Sequence, residues 1–219
     1  MPKKIRVWDL PTRLFHWLLV LLLGVSWATG KTGGNAMQYH LWSGYAVLTL
    51  VVFRVLWGLI GSETARFSQF LRGPGTVLAY VRKLFVRSSG SSVGHNPLGG
   101  WMVAAMLVAL LVQTGTGLFA NDDIATEGPL YKLISKDLSD LLTNVHKGSF
   151  NVLLALAAIH IAAIIFYFVY KRDDLVRPMF TGKKMVSEDV VPPRMAIRWL
   201  GLPVIALAAA AVYWLVTKL

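Results

Sequence analysis

A chain of 219 residues, 55% hydrophobic and only 15% charged, carries apolar runs long enough to cross a hydrocarbon core of about 30 Å, which takes about 20 residues of helix. Its net charge of +11 reads as membrane topology and contact with anionic lipid rather than nucleic-acid binding, because no basic run is interleaved with aromatics. The absence of cysteine excludes disulfides, thiolate-held iron–sulfur clusters and covalent attachment of a prosthetic group through Cys-X-X-Cys-His.

In chain order, Lys3, Lys4 and Arg6 lead into a first apolar span at Leu14–Gly30. No small-residue cleavage pattern follows it, so the span is expected to be retained rather than removed as a signal peptide. A second span is predicted at Tyr39–Ile60, a third at Leu98–Ala120, a fourth at Leu141–Tyr170 and a fifth at Trp199–Val216. Between the second and third lies a basic and apolar connector, Ser62–Ser92, broken by Gly73-Pro74-Gly75. Its part after the break, Thr76–Val86, reads either as a short amphipathic helix in the headgroup region or as a plain basic linker. Asn96 followed by Pro97 signals a helix start, since Asn accepts an orphan N–H and proline suits the first helical position. The loop Asn121–Asp140 carries Asp122, Asp123, Glu127, Asp137 and Asp140 against two lysines, either as ordinary solvated loop or as a docking face for a basic redox protein. Five spans leave no room for a separate soluble domain, so residues 1–219 read as one membrane domain.

Alternating the spans puts sixteen Lys and Arg residues on the side of the N-terminus, in the leader, the first connector and the segment Lys171–Arg198. The opposite side holds five, Lys31, Lys132, Lys136, Lys147 and Lys218, with Arg54 inside a span. The positive-inside rule then places the N-terminus in the cytoplasm and the C-terminus outside.

His146 and His160 stand fourteen residues apart in the fourth span. At 100° and about 1.5 Å per residue they share a helix face, ~40° apart, and are separated by about 21 Å along the axis. His16 and His40 lie in the first two spans. By depth, His16 matches His160 near the cytoplasmic side, and His40 matches His146 near the outer side. Taken singly, each histidine is equally well explained by an interhelical hydrogen bond. Matched in pairs, they present two imidazoles to each of two irons, as a helix bundle allows. The chain therefore reads as a carrier of two non-covalent haems b. A four-coordinate zinc site needs its ligands about 2.0–2.2 Å from one ion, which histidines about 21 Å apart on one helix cannot supply. A proton relay through spaced histidines stays open as an alternative, although the spans lack the Asp and Glu such relays commonly employ. Arg54, fourteen residues after His40, falls at the depth of the inner pair, where a guanidinium can meet a propionate or snorkel to the headgroups. Gly44, Gly58, Gly115, Gly117 and Gly148 either admit a macrocycle or simply bring helices together.

The segment Val7-Trp8-Asp9-Leu10-Pro11-Thr12-Arg13-Leu14-Phe15-His16-Trp17, with Gly94-His95-Asn96-Pro97-Leu98-Gly99 and the paired histidines of the fourth span, resembles the bacterial cytochrome b561 family. More narrowly, it resembles the branch that includes the di-haem cytochrome b subunits of membrane-bound nickel–iron hydrogenases, and the fifth span fits that branch. The resemblance implies an all-α membrane protein of the bacterial inner membrane, a four-helix transmembrane haem bundle plus a fifth C-terminal helix. It puts His16, His40, His146 and His160 on haem-ligand positions. It implies electron transfer between a quinone pool and a soluble or peripheral redox partner, such as a c-type cytochrome or a hydrogenase. Asp9, Arg13 and His95 are candidate quinone-edge residues, with ordinary interfacial polar roles as the alternative. Some four-span members oxidise superoxide while reducing quinone, so a superoxide:quinone oxidoreductase is the competing expectation. The direction of electron flow and a homo-oligomeric state stay open.

Overall fold

The computed structural model describes residues 2–86 and 93–218. The end of the basic connector, residues 87–92 with Arg87, lies outside them. The described chain begins with strand β1 (Lys3–Arg6) and continues through α1 (Leu10–Thr32), α2 (Met37–Ile60), α3 (Phe67–Phe70), α4 (Pro74–Arg82), α5 (Pro97–Gly117) and α6 (Lys136–Val169). After these come α7 (Val176–Thr181), strand β2 (Lys183–Val186) and α8 (Gly201–Lys218). Five helices, α1, α2, α5, α6 and α8, are long and apolar enough to cross a membrane, with 3₁₀ turns at Gly34–Ala36 and Arg198–Leu200 lengthening the second and fifth. The protein is an all-α membrane protein with one small added sheet.

Large apolar side chains such as Leu21, Trp27, Ile159, Phe168, Leu207 and Trp214 point outward. Lipid is their solvent, so nothing drives them inward, while the helical fold satisfies the backbone groups in the interior of each span. The second span is the most enclosed: half of its apolar stretch is buried, against 6% to 22% for the others.

The helix ends depart from the predicted bounds for local reasons. Helix α5 stops at Gly117 rather than Ala120 because the returning chain takes its next backbone groups. Leu130 N–H donates to Leu118 O (2.9 Å) and Gly128 N–H to Ala120 O (2.7 Å). A side chain at Gly128 would run into the Leu118 carbonyl, 2.4 Å from its Cβ position. Helix α6 starts five residues before the predicted span. Ser135 O accepts from Ser139 N–H (3.0 Å) and Asp137 sits in the first turn, where a carboxylate complements the helix dipole. Hydropathy misses these polar turns. At 1.5 Å per residue the 34 residues of α6 span about 51 Å, so it projects beyond the hydrocarbon. Asn96 caps α5 as predicted, Gly99 N–H donating to its Oδ1 (2.7 Å).

Helix α4 begins at Pro74, so Gly73-Pro74-Gly75 starts a helix instead of breaking one. Leu78 and Val81 of this helix, and Phe85 beyond its end, are exposed. Its Tyr80 hydroxyl meets the Tyr167 hydroxyl of α6 at 2.5 Å, and Asn96 Nδ2 donates to that same Tyr167 oxygen at 2.9 Å.

The chain divides into two compact units, residues 1–14, 55–105 and 156–201, and residues 15–54, 106–155 and 202–219. In the first, β1 and β2 pair antiparallel, with Ile5 opposite Lys184 and Arg6 opposite Lys183. Ile5 and Val186 turn inward onto Val7, while Lys4, Arg6, Lys183 and Met185 face outward. Gly182 adopts a left-handed turn (φ 75°) and its carbonyl accepts from Val7 and Trp8 N–H (2.8 and 3.2 Å). Glu63 and Arg194 exchange hydrogen bonds, Glu63 N–H to Arg194 O (2.9 Å) and Arg194 N–H to Glu63 Oε2 (2.8 Å). The second unit is cored by Leu48, Leu118, Leu130 and Val212, so α8 packs on α2 and on the residues that follow α5.

Candidate functional site

Two of the four predicted ligand residues meet within the second unit. The ring centroids of His40 on α2 and His146 on α6 lie 6.0 Å apart, with planes crossed at 86°. Two imidazoles facing each other across one metal, each bonded at about 2 Å, have centres about 6 Å apart. His40 Nδ1 lies 2.8 Å from Ser26 O, and His146 Nδ1 lies 2.8 Å from Gln113 O. A carbonyl only accepts, so both Nδ1 atoms carry the proton and both Nε2 atoms keep the lone pair a metal takes.

The surroundings hold this arrangement. Ser43 Oγ donates to His40 O (2.9 Å), and Ser26 Oγ donates to Ser43 Oγ (2.7 Å). Ser149 Oγ donates to Gln113 Oε1 (2.6 Å), which brings the Gln113 amide nitrogen to 3.2 Å from His146 Nε2. Iron at that lone pair requires the amide to turn aside. Gly44, one turn after His40 and on nearly the same helix face, has no atom within 4 Å of a built Cβ, whereas Gly115 and Gly148, equally open, stand on the helix faces opposite Gln113 and His146. A flat macrocycle needs a missing side chain such as that of Gly44, and the donor set of two Nδ1-protonated imidazoles suits haem iron. The residues therefore fit a haem. Of the other glycines in the sequence argument, Gly58 packs directly on the Phe67 ring and Gly117 on His146.

His16 on α1 sits edge-on to Trp17 (4.8 Å, 88°). His160 lies on α6, fourteen residues beyond His146 along one unbroken helix. Arg54 is 2% exposed, so its guanidinium is kept inside the protein and does not snorkel.

The three quinone-edge candidates belong to the first unit. Asp9 is buried and both its oxygens are engaged: Thr12 N–H donates to Oδ1 (2.8 Å), capping α1, and Trp57 Nε1–H donates to Oδ2 (3.1 Å). Arg13 Nη1 donates to Phe180 O, and its Nε packs at Gly182. His95 is clasped between Trp8 (4.7 Å) and Phe70 (4.8 Å). Thr64 Oγ1 donates to Val7 O (2.7 Å), and the Thr64 methyl lies against Gly94, the residue before His95.

In the loop after α5, Asp122 Oδ1 accepts from the N–H groups of Ile124, Ala125 and Thr126 at 2.8–3.0 Å. The Thr126 bond first, then those of Ala125 and Ile124, hold its carboxyl well below the usual carboxylate range. Lys136 is gripped by Asp123 (2.6 Å) and Asp140 (2.8 Å).

Sequence reasoning passed over Ser26, Ser43, Gln113 and Ser149. Their signal was present, polar residues inside apolar spans, with Gln113 the most polar side chain of α5. Residues 7–182 match the family model described as prokaryotic cytochrome b561; β2 and α8 lie beyond the matched stretch. No curated protein and no solved structure matches the chain.

Proposed function

The chain belongs to the prokaryotic cytochrome b561 family, whose members move electrons across the membrane by haem b, and on that premise we propose that it holds two haems per chain. His40 and His146 ligate the outer one, and His16 and His160 the inner one. Electrons pass between the quinone pool on the cytoplasmic side and a soluble or peripheral redox protein on the other. The N-terminus is cytoplasmic and the membrane is the bacterial inner membrane. The observation that carries this reading is the His40–His146 pair, with both Nδ1 protons committed to carbonyls and the rings 6.0 Å apart. The inner pair rests on helix geometry: fourteen residues along α6 put His160 on nearly the same face and about 21 Å deeper.

When bound, haem b supplies a one-electron iron couple. The chain supplies ligation, orientation and charge. Ser26 and Gln113 fix the tautomer of the outer ligands. Arg54, buried in the second span, would hold a propionate carboxylate, and its positive charge would favour an added electron. His95, with Trp8 and Phe70 against it, is the group that meets the quinone ring. Asp9 and Arg13 hold its surroundings in place. The acidic residues after α5 favour a basic redox partner. The superoxide reading asks for a cationic funnel at the outer side, and Lys136 is already neutralised by Asp123 and Asp140, so the carrier reading is preferred.

The test is haem quantification and stopped-flow reduction of the purified chain in nanodiscs by a quinol analogue. Two haems per chain, both reduced, are expected. A ratio of one, or reduction by superoxide alone with quinone as acceptor, overturns the proposal.

A further inference from the structure

His40 and His146 are seated in the same way on different helices. His40 Nδ1 bonds the carbonyl of Ser26 on α1, and one turn later stands Gly30, whose built Cβ would lie 2.9 Å from that nitrogen. His146 Nδ1 bonds the carbonyl of Gln113 on α5, and one turn later stands Gly117, whose Cβ would lie 2.9 Å from Cε1 and 3.0 Å from Nδ1. In a helix the carbonyl of residue i already accepts the N–H of residue i+4. A side ring reaches it as a second donor only where residue i+4 has no side chain in the way. Gly24, on the same helix as Gly30, has nothing within 4 Å, so close approach to a ring is not common to the glycines of this span.

We infer that the two carbonyl–glycine seats, Ser26 with Gly30 and Gln113 with Gly117, are positioning devices that lock the axial imidazoles of the outer haem in crossed planes. This rests on the di-haem reading above. The consequence is electronic. Each imidazole interacts through its π system with the iron d orbital that overlaps it. Parallel rings raise one of the two such orbitals and split the pair, whereas rings crossed at 86° raise both nearly equally. Near-degeneracy gives a low-spin ferric centre of very large g anisotropy instead of the rhombic spectrum of parallel rings.

Electron paramagnetic resonance of the oxidised full-length protein tests this, with haem content measured on the same sample. The wild type is expected to show a highly anisotropic signal that disappears in His40→Ala. Gly30→Ala and Gly117→Ala should each replace it with a rhombic signal or eliminate the outer haem while sparing the inner one, and Gly24→Ala should leave it intact. Should either alanine variant fail to accumulate, electron–nuclear double resonance of the wild type in H₂O and D₂O reads the Nδ1 protons directly, and exchangeable couplings from two hydrogen-bonded imidazoles are expected. A purely rhombic wild type with two haems present overturns the inference and leaves the di-haem reading standing. An unchanged anisotropic signal in both glycine variants, or absent Nδ1 proton couplings, also overturns it. Fewer than two haems in the wild type counts against the di-haem reading itself.

Discussion

Asp9 offers the sharpest test of how the start of α1 is held. Both carboxylate oxygens are used, one by Thr12 N–H and one by the indole of the fully buried Trp57. Asp9→Ala removes a helix cap, about 1 kcal/mol, and strands a buried indole N–H, about 1–3 kcal/mol, for a total of about 2–4 kcal/mol. Asp9→Asn retains one acceptor only. It must abandon either the cap or the indole, so it is expected to cost about 1–3 kcal/mol on top of the lost charge at the helix N-terminus. In a Trp57→Phe background the indole has gone, and Asn can keep the cap. The same change should then cost no more than the lost charge at the helix N-terminus, about 0.3–1 kcal/mol. The double-mutant cycle is measured by denaturant titration in mixed micelles, following far-ultraviolet dichroism together with haem absorbance. A coupling of at least about 1 kcal/mol is expected. Equal costs for Asp9→Asn in the two backgrounds would refute the argument that Asp9 is a paired acceptor. Slowed quinol-driven reduction at unchanged stability would transfer Asp9 from support to the quinone itself.

Redox titration of alanine variants should sort the histidines by depth, His40→Ala and His146→Ala disturbing one haem component, His16→Ala and His160→Ala the other, and His95→Ala neither. Arg54→Gln withdraws a buried positive charge and should lower the midpoint potential of the inner component while leaving the outer one in place; an unchanged inner potential would remove Arg54 from the proposed propionate contact. Asp122 has its carboxyl depressed in the folded loop below the ordinary value of 3.8, so the order it confers is complete above that pH and is lost as pH falls toward the folded value. Hydrogen exchange at Ile124–Thr126 should accelerate there beyond the intrinsic rate, and Asp122→Asn should abolish that acid dependence; identical acid profiles would contradict it.

Hydropathy alone located five spans, since membrane helices must be apolar for about 20 residues, and Asn96-Pro97 announced the start of α5. The alternating direction of the spans likewise put His40 and His146 at one depth. Other features left weaker traces. Strands β1 and β2 are four residues each and rich in lysine, a composition of low strand propensity, and they exist because Ile5 and Val186 share a buried face. The acceptors for the two Nδ1 protons are backbone carbonyls, which every residue carries. No side-chain pattern could have singled out Ser26 or Gln113 in that role. Gly117 had been noticed among several glycines, whereas Gly30 had not, because what distinguishes it is a neighbour on another helix.

The pairing of β1 with β2 has a consequence for biogenesis. Their backbones can bond only if both lie on the same side of the bilayer, which demands an even number of crossings between Arg6 and Lys183; α1, α2, α5 and α6 provide four. In chain order β2 follows all four of these helices, so the partner of β1 is the last part of the sheet to be made. A chain with a skipped or inverted helix would have its two strands stranded on opposite sides. The small sheet can therefore close only on chains threaded an even number of times between its strands, and any other threading leaves both strand edges open.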